Sequence, residues 1–182
     1  MKNYYGRVLF YEILGILVIF VLGYVWHSLY SVFDYNPIVG LFSPINESPW
    51  EHIKIIFFPW WLYAILEYPL VKFKINNYFF SKSIGVIVFQ IVTLGVVYVV
   101  ECFTGSHSLI FTIIMYLTGL SLGVISSYYL LTNLCENSIL EKIGLILFLI
   151  EFFIIFIFTI NPPRLDYFKD VKAGTFGIYG YR

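Results

Sequence analysis

The stretch "LILFLIEFFIIFIF", Leu145 to Phe158, decides the fold, because it is apolar throughout except for one carboxylate, Glu151. With its flanks the run covers Ile139–Ile160, and a helix needs roughly 20 apolar residues to cross the hydrocarbon of a bilayer. Pro162 and Pro163 end it, since proline has no N–H to donate within a helix. A charge at the bilayer centre costs about 2.5–3.5 kcal/mol on insertion scales, so Glu151 is expected to be neutral or paired inside a bundle. Gln90, Thr93, Thr118 and Ser121, in two other apolar runs, fall at matching depth. A protonated Glu151 hydrogen-bonded to one of them is the structural reading. A proton or ion path is the functional one.

The rest of the chain repeats this pattern. Of 182 residues, 60% are hydrophobic, 21% aromatic and 12% charged, about half the charge of an ordinary soluble domain. The mean hydropathy is +0.85. Apolar runs fall at 8–30, 49–71, 82–103, 107–132 and 139–160, with a tail at 161–182. The expectation is an all-α integral membrane protein: one bundle of five transmembrane helices, a single domain over 1–182, multi-pass in the cell membrane. The first run is too long for a signal-peptide core and lacks a small-residue cleavage site, so it reads as a retained anchor. Membrane lipid is the implied partner. A net charge of zero supplies no basic footprint for nucleic acid.

Five spans put the termini on opposite sides. Lys2, Arg7, Lys72, Lys74, Lys82 and Lys142 gather on the N-terminal side, against Lys54 and the tail cations Arg164, Lys169, Lys172 and Arg182. The loop at 104–106 carries no positive charge. The positive-inside rule then predicts a cytoplasmic N-terminus and an external tail. Glu12 and Glu67, about a turn from the inner interface and near Arg7 and Lys72, are expected to reach the headgroups. Cys102 and Cys135 fall at opposite faces and cannot form a disulfide with each other. Gly119 and Gly123 form a GxxxG pair suited to close helix packing, within the chain rather than between copies. Pro59 is expected to kink the second span.

Between the first two spans stands "SPINESPWEH", Ser43 to His52. Ser48-Pro49-Trp50-Glu51 fits a capping box, with Ser48 as N-cap and the helix starting at Pro49. Trp50 suits an interfacial anchor. Just upstream, "NPIVGLFSP" is apolar but broken by Pro37, Gly40 and Pro44, a pattern for an interfacial or re-entrant segment. Capping accounts for Ser48 and Glu51 but leaves Asn46, Glu47 and His52 over. His27, His52 and His107 map to one membrane face, together with Asp34, Glu47, Glu51, Glu101 and Cys102. Imidazole and carboxylate are zinc ligands and the commonest acid–base groups. The candidate catalytic residues are therefore Glu47 as base or ligand, His52, and Glu51 orienting an imidazole. The candidate ligands for a divalent metal such as zinc are His27, His52 and His107. Three classes follow: an enzyme acting on a lipid or envelope molecule, a non-catalytic membrane subunit or scaffold, and a small proton-coupled transporter.

The string "NPIVGLFSPINESPWEHIKIIFFPWWLYAILEY" resembles the hallmark of a family of small, uncharacterised bacterial and archaeal membrane proteins. That hallmark reads His-x-Leu-Tyr, then Pro-x-Asn-Glu-Ser-x-Trp-Glu-His-x-Lys, then Phe-Phe-Pro. The matching positions are His27, Leu29, Tyr30, Pro44, Asn46, Glu47, Ser48, Trp50, Glu51, His52, Lys54, Phe57, Phe58 and Pro59. Pro49 stands where a small aliphatic residue is more typical. The tail "NPPRLDYFKDVKAGTFGIYG" is similar to the family's ending. The resemblance implies the membrane fold and brings no assigned activity.

Overall fold

Five helices of the computed structural model are long and apolar enough to cross a membrane: Tyr5–Val32, Ile53–Val71, Tyr78–Thr104, Leu109–Asn133 and Ser138–Ile160. The structure describes residues 2–72, 75–106 and 108–180. In chain order the helices are α1 (Lys2–Val32), the short α2 (Pro37–Phe42), α3 (Ile53–Val71), α4 (Tyr78–Gln90), α5 (Val96–Thr104), α6 (Leu109–Asn133) and α7 (Ser138–Ile160). A π-helical turn, Ile91–Gly95, joins α4 to α5 as one continuous span. A 3₁₀ turn, Asp166–Phe168, opens the tail.

Helix α4 packs against α6 and α7, and α1 packs against α3 and α6. Missing side chains let the first of these pairs close. A methyl group on Gly123 would stand 2.6 Å from the Gly85 carbonyl oxygen, and one on Gly119 would stand 2.8 Å from that of Phe89. At Gly144 of α7 it would meet the Phe80 amide nitrogen at 2.1 Å, so backbone touches backbone there as well. Aromatic rings fill the α3–α7 seam: Phe57 stacks on Phe148 at 5.7 Å, and Phe148 meets Trp61 at 4.6 Å.

Pro59 lies inside α3 and cannot donate to the carbonyl one turn back, that of Ile55. Tyr116 Oη of α6 donates to that carbonyl instead, at 3.1 Å. Away from water every such group needs a partner, and here a neighbouring helix supplies it.

The structure changes several readings of the sequence and gives form to one other, the apolar segment before Ser43. Helix α3 starts at Ile53 rather than Pro49, because Pro49–His52 form tight turns with Ile53 N–H on the Trp50 carbonyl. The apolar 36–44 segment folds as α2, capped by Asn36, whose side-chain oxygen accepts from Ile38 N–H at 2.9 Å. Glu12 and Glu67 do not reach headgroups: both are buried, and both pair with Lys82, itself buried one turn into α4. Lys54 is buried too, so neither it nor Lys82 is a free loop cation.

Candidate functional site

The C-terminal end of α1, the turn before α3 and the tail meet at one end of the bundle. Ser43 ties the first two together: its Oγ donates to the Trp26 carbonyl at 2.9 Å and accepts from Tyr30 N–H at 3.1 Å. Lys54 Nζ holds the same loop from beneath, donating to the carbonyls of Gly40 at 2.7 Å and Ser43 at 3.3 Å and to Glu51 Oε2 at 2.6 Å. Glu51 Oε2 also accepts from Ile45 N–H at 3.0 Å. Burial pushes the Glu51 carboxyl above its ordinary range, against the opposing pull of Lys54. Glu51 thus faces inward as a loop anchor, away from the imidazoles.

Above this anchor, His27, Glu47 and His52 converge. The two histidine Nε2 atoms lie 3.4 Å apart. Glu47 Oε2 lies 3.6 Å from His52 Nε2 and 3.9 Å from His27 Nε2. His52 Nδ1 sits 2.8 Å from the Ser48 carbonyl oxygen. A carbonyl only accepts, so Nδ1 carries the proton, and in the neutral ring Nε2 presents its lone pair to the other two groups. The Ser48 carbonyl therefore sets the tautomer that sequence reasoning assigned to Glu51. Ser48 Oγ separately accepts Glu51 N–H at 3.3 Å, and Ser48 N–H donates to Asn46 Oδ1 at 2.9 Å, so Asn46 closes the turn.

The tail completes the site. Lys172 Nζ donates to Glu47 Oε1 at 3.1 Å, and Asp170 Oδ1 accepts from the backbone N–H groups of Glu47, at 3.3 Å, and Lys172, at 3.1 Å. Trp50 N–H donates to the Tyr167 carbonyl, and the Trp50 ring packs on Phe158 and Phe168 rather than standing free. Burial alone would raise the Glu47 carboxyl. The Lys172 hydrogen bond and the charges of His52, His27 and Lys172 outweigh it and hold Glu47 below the usual carboxylate range. Sequence reasoning missed Lys172 and Asp170. The signal was the polar "KDVK" set in an apolar chain, too far along it to be joined to Glu47 by spacing.

The site is open: the side chains of His27, Glu47 and His52 are 43%, 36% and 23% exposed. Beside it lies a cleft of about 530 Å³ lined by Pro49, Tyr98, Glu101, Cys102 and tail residues that include Lys172. Glu101 and Cys102 belong to that cleft rather than to the cluster. His107 lies outside the described residues. Outside the cluster, Gln90 Nε2 donates to Glu151 Oε1 across α4 and α7, beside the π turn. Thr93, within that turn, donates to the Met115 carbonyl at 3.2 Å.

The chain belongs to the family of unknown function DUF6512, whose model matches residues 3–178. Among curated proteins and solved structures, none matches it.

Proposed function

We propose that this member of the family is a multi-pass membrane protein whose His27–Glu47–His52 cluster binds one divalent transition metal, zinc fitting best. The site then serves acid–base or hydrolytic chemistry on a lipid or envelope molecule. The observation that carries the reading is the ligand triangle. Tetrahedral zinc with ligands at 2.0–2.1 Å separates them by about 3.3 Å, and the three edges here are 3.4, 3.6 and 3.9 Å. The His52 tautomer, set by the Ser48 carbonyl, turns the Nε2 lone pair toward His27 and Glu47, the orienting role that outer-sphere groups play in zinc sites. Three protein ligands with a fourth position open is the catalytic pattern, in which bound water ionises near pH 7. The adjoining cleft offers room for a polar headgroup, with Lys172 common to both.

We place this end of the bundle outside the cell. With Lys54 and Lys82 removed from the count, Lys2, Arg7, Lys72, Lys74 and Lys142 still cluster on the N-terminal side's short segments. A non-catalytic scaffold is the second reading, favoured by the saturated Glu51–Lys54 anchor and the Asp170 hydrogen bonds that already fasten tail to loop. Metal analysis and zinc titration of the purified protein decide between them. One equivalent of zinc is expected in the parent chain and none in a His27→Ala/His52→Ala variant of equal melting temperature. Equal, substoichiometric zinc in both overturns the metal reading.

A further inference from the structure

A second charged cluster lies in the interior, away from the histidines. Glu12 of α1 and Glu67 of α3 both contact Lys82 Nζ of α4, at 2.9 and 2.5 Å. Ser127 Oγ of α6 donates to Glu12 Oε1 at 3.0 Å, and Tyr78 Oη lies 2.9 Å from Glu67 Oε2. All three charged side chains are at least 98% buried. The Lys82 ammonium also stands over the rings of Trp60 and Tyr78, at 5.6 and 5.4 Å, so aromatic faces rather than water complete its surroundings.

Two carboxylates and one ammonium sum to a net negative charge. An uncompensated charge taken out of water is among the costliest features a protein interior can carry. One bound proton removes that net charge, and a buried group that can neutralise does so rather than stay charged. The geometry also leaves one oxygen over. Glu67 Oε1 is buried and has no hydrogen-bond partner among the described residues. An orphaned oxygen is far less costly on a neutral carboxyl than on a carboxylate. The gap beside the cluster, lined by Glu12, Gly15, Ile19, Trp60, Tyr63, Lys82 and Val124, is too small for a water molecule, and so for a hydrated metal ion.

We propose that Glu12 and Glu67 together bind one proton, making this four-helix junction a neutral, occluded proton site. The proton belongs to the pair, since both carboxyls face the one ammonium of Lys82. Its position links it to the other end of the bundle: α1 carries both Glu12 and His27, and the chain runs from His52 directly into α3, which carries Glu67. The cluster therefore joins, through Lys82, the same two helices whose opposite ends bring the histidines together.

Infrared difference spectroscopy of the purified protein at neutral pH tests this through the carbonyl stretch of a protonated carboxylic acid. Any protonated carboxyl elsewhere in the chain contributes to the same region and cancels when a variant is subtracted from its parent. Glu12→Gln and Glu67→Gln should each remove one acid carbonyl equivalent, because the single carboxylate left beside Lys82 then ionises. Melting temperature should hold in both, since each variant stays neutral. Lys82→Met should add one equivalent, as both carboxyls then need a proton. Difference spectra with no acid carbonyl lost in either Gln variant overturn the proposal. So does an unchanged acid signal in Lys82→Met.

Discussion

His27 and His52 meet Nε2 to Nε2 at 3.4 Å, although one lies near the end of α1 and the other just before α3. Two lone pairs at that distance repel, so the pair needs a proton or a cation between its rings. Glu47, on the third side of the triangle, keeps its negative charge because Lys172 and the histidines hold its carboxyl below the ordinary range. A carboxylate depressed on folding adds stability above its unfolded pKa and loses that contribution as pH falls through the folded value. Lys172→Met removes the hydrogen bond that opposes burial most strongly, so the folded value rises toward the unfolded one and the window narrows. In metal-free protein, acidification from neutral pH should lower the melting temperature less in Lys172→Met than in the parent, because Glu47 then has less folded-state stabilisation to lose. Superimposable profiles would show that Lys172 does not tune Glu47.

Ser48 performs two separable tasks. Its hydroxyl caps Glu51 N–H, and its carbonyl orients His52. Ser48→Ala deletes only the first and should cost about 1 kcal/mol, as for other lost caps. Thermal denaturation should register that loss while zinc titration gives an unchanged affinity. A fall in affinity comparable to that of His52→Ala would mean that the hydroxyl itself sets the imidazole.

The Glu51–Lys54 pair is sealed from solvent, with both side chains at most 3% exposed. Removing one partner of a buried pair strands the other, at a cost of about 3–5 kcal/mol, while replacing both is far milder. Lys54→Met should therefore lower the melting temperature sharply, and Glu51→Gln/Lys54→Met should recover most of the loss. A double variant no better than the single one would locate the cost in the Gly40 and Ser43 carbonyls that Lys54 also serves.

Sidedness is open to chemical labelling. With Cys102 replaced by serine, an impermeant thiol reagent applied to intact cells should modify a cysteine introduced at Thr175 and leave Cys135 untouched. Both native cysteines are exposed at the protein surface, so accessibility reports the side of the membrane. The reverse pattern would move the histidine cluster to the cytoplasmic face.

What the sequence determined by itself was the number of long apolar helices, their approximate ends, and which loop holds the densest polarity. Hydropathy is a local property, and 14 residues from Leu145 to Phe158 suffice to read it. Helix starts proved less legible, because the amide of Trp50 goes to Tyr167 in the tail rather than into a first turn of α3. Only the tertiary structure decided which charges meet. Glu12 and Lys82 are 70 positions apart, Glu47 and Lys172 125, and neither separation carries a spacing signal. A buried carboxylate must find a cation or a donor, but helix packing chooses the partner. That choice sends Glu12 and Glu67 into the interior, turns Glu51 toward Lys54, and leaves Glu47 facing the two histidines.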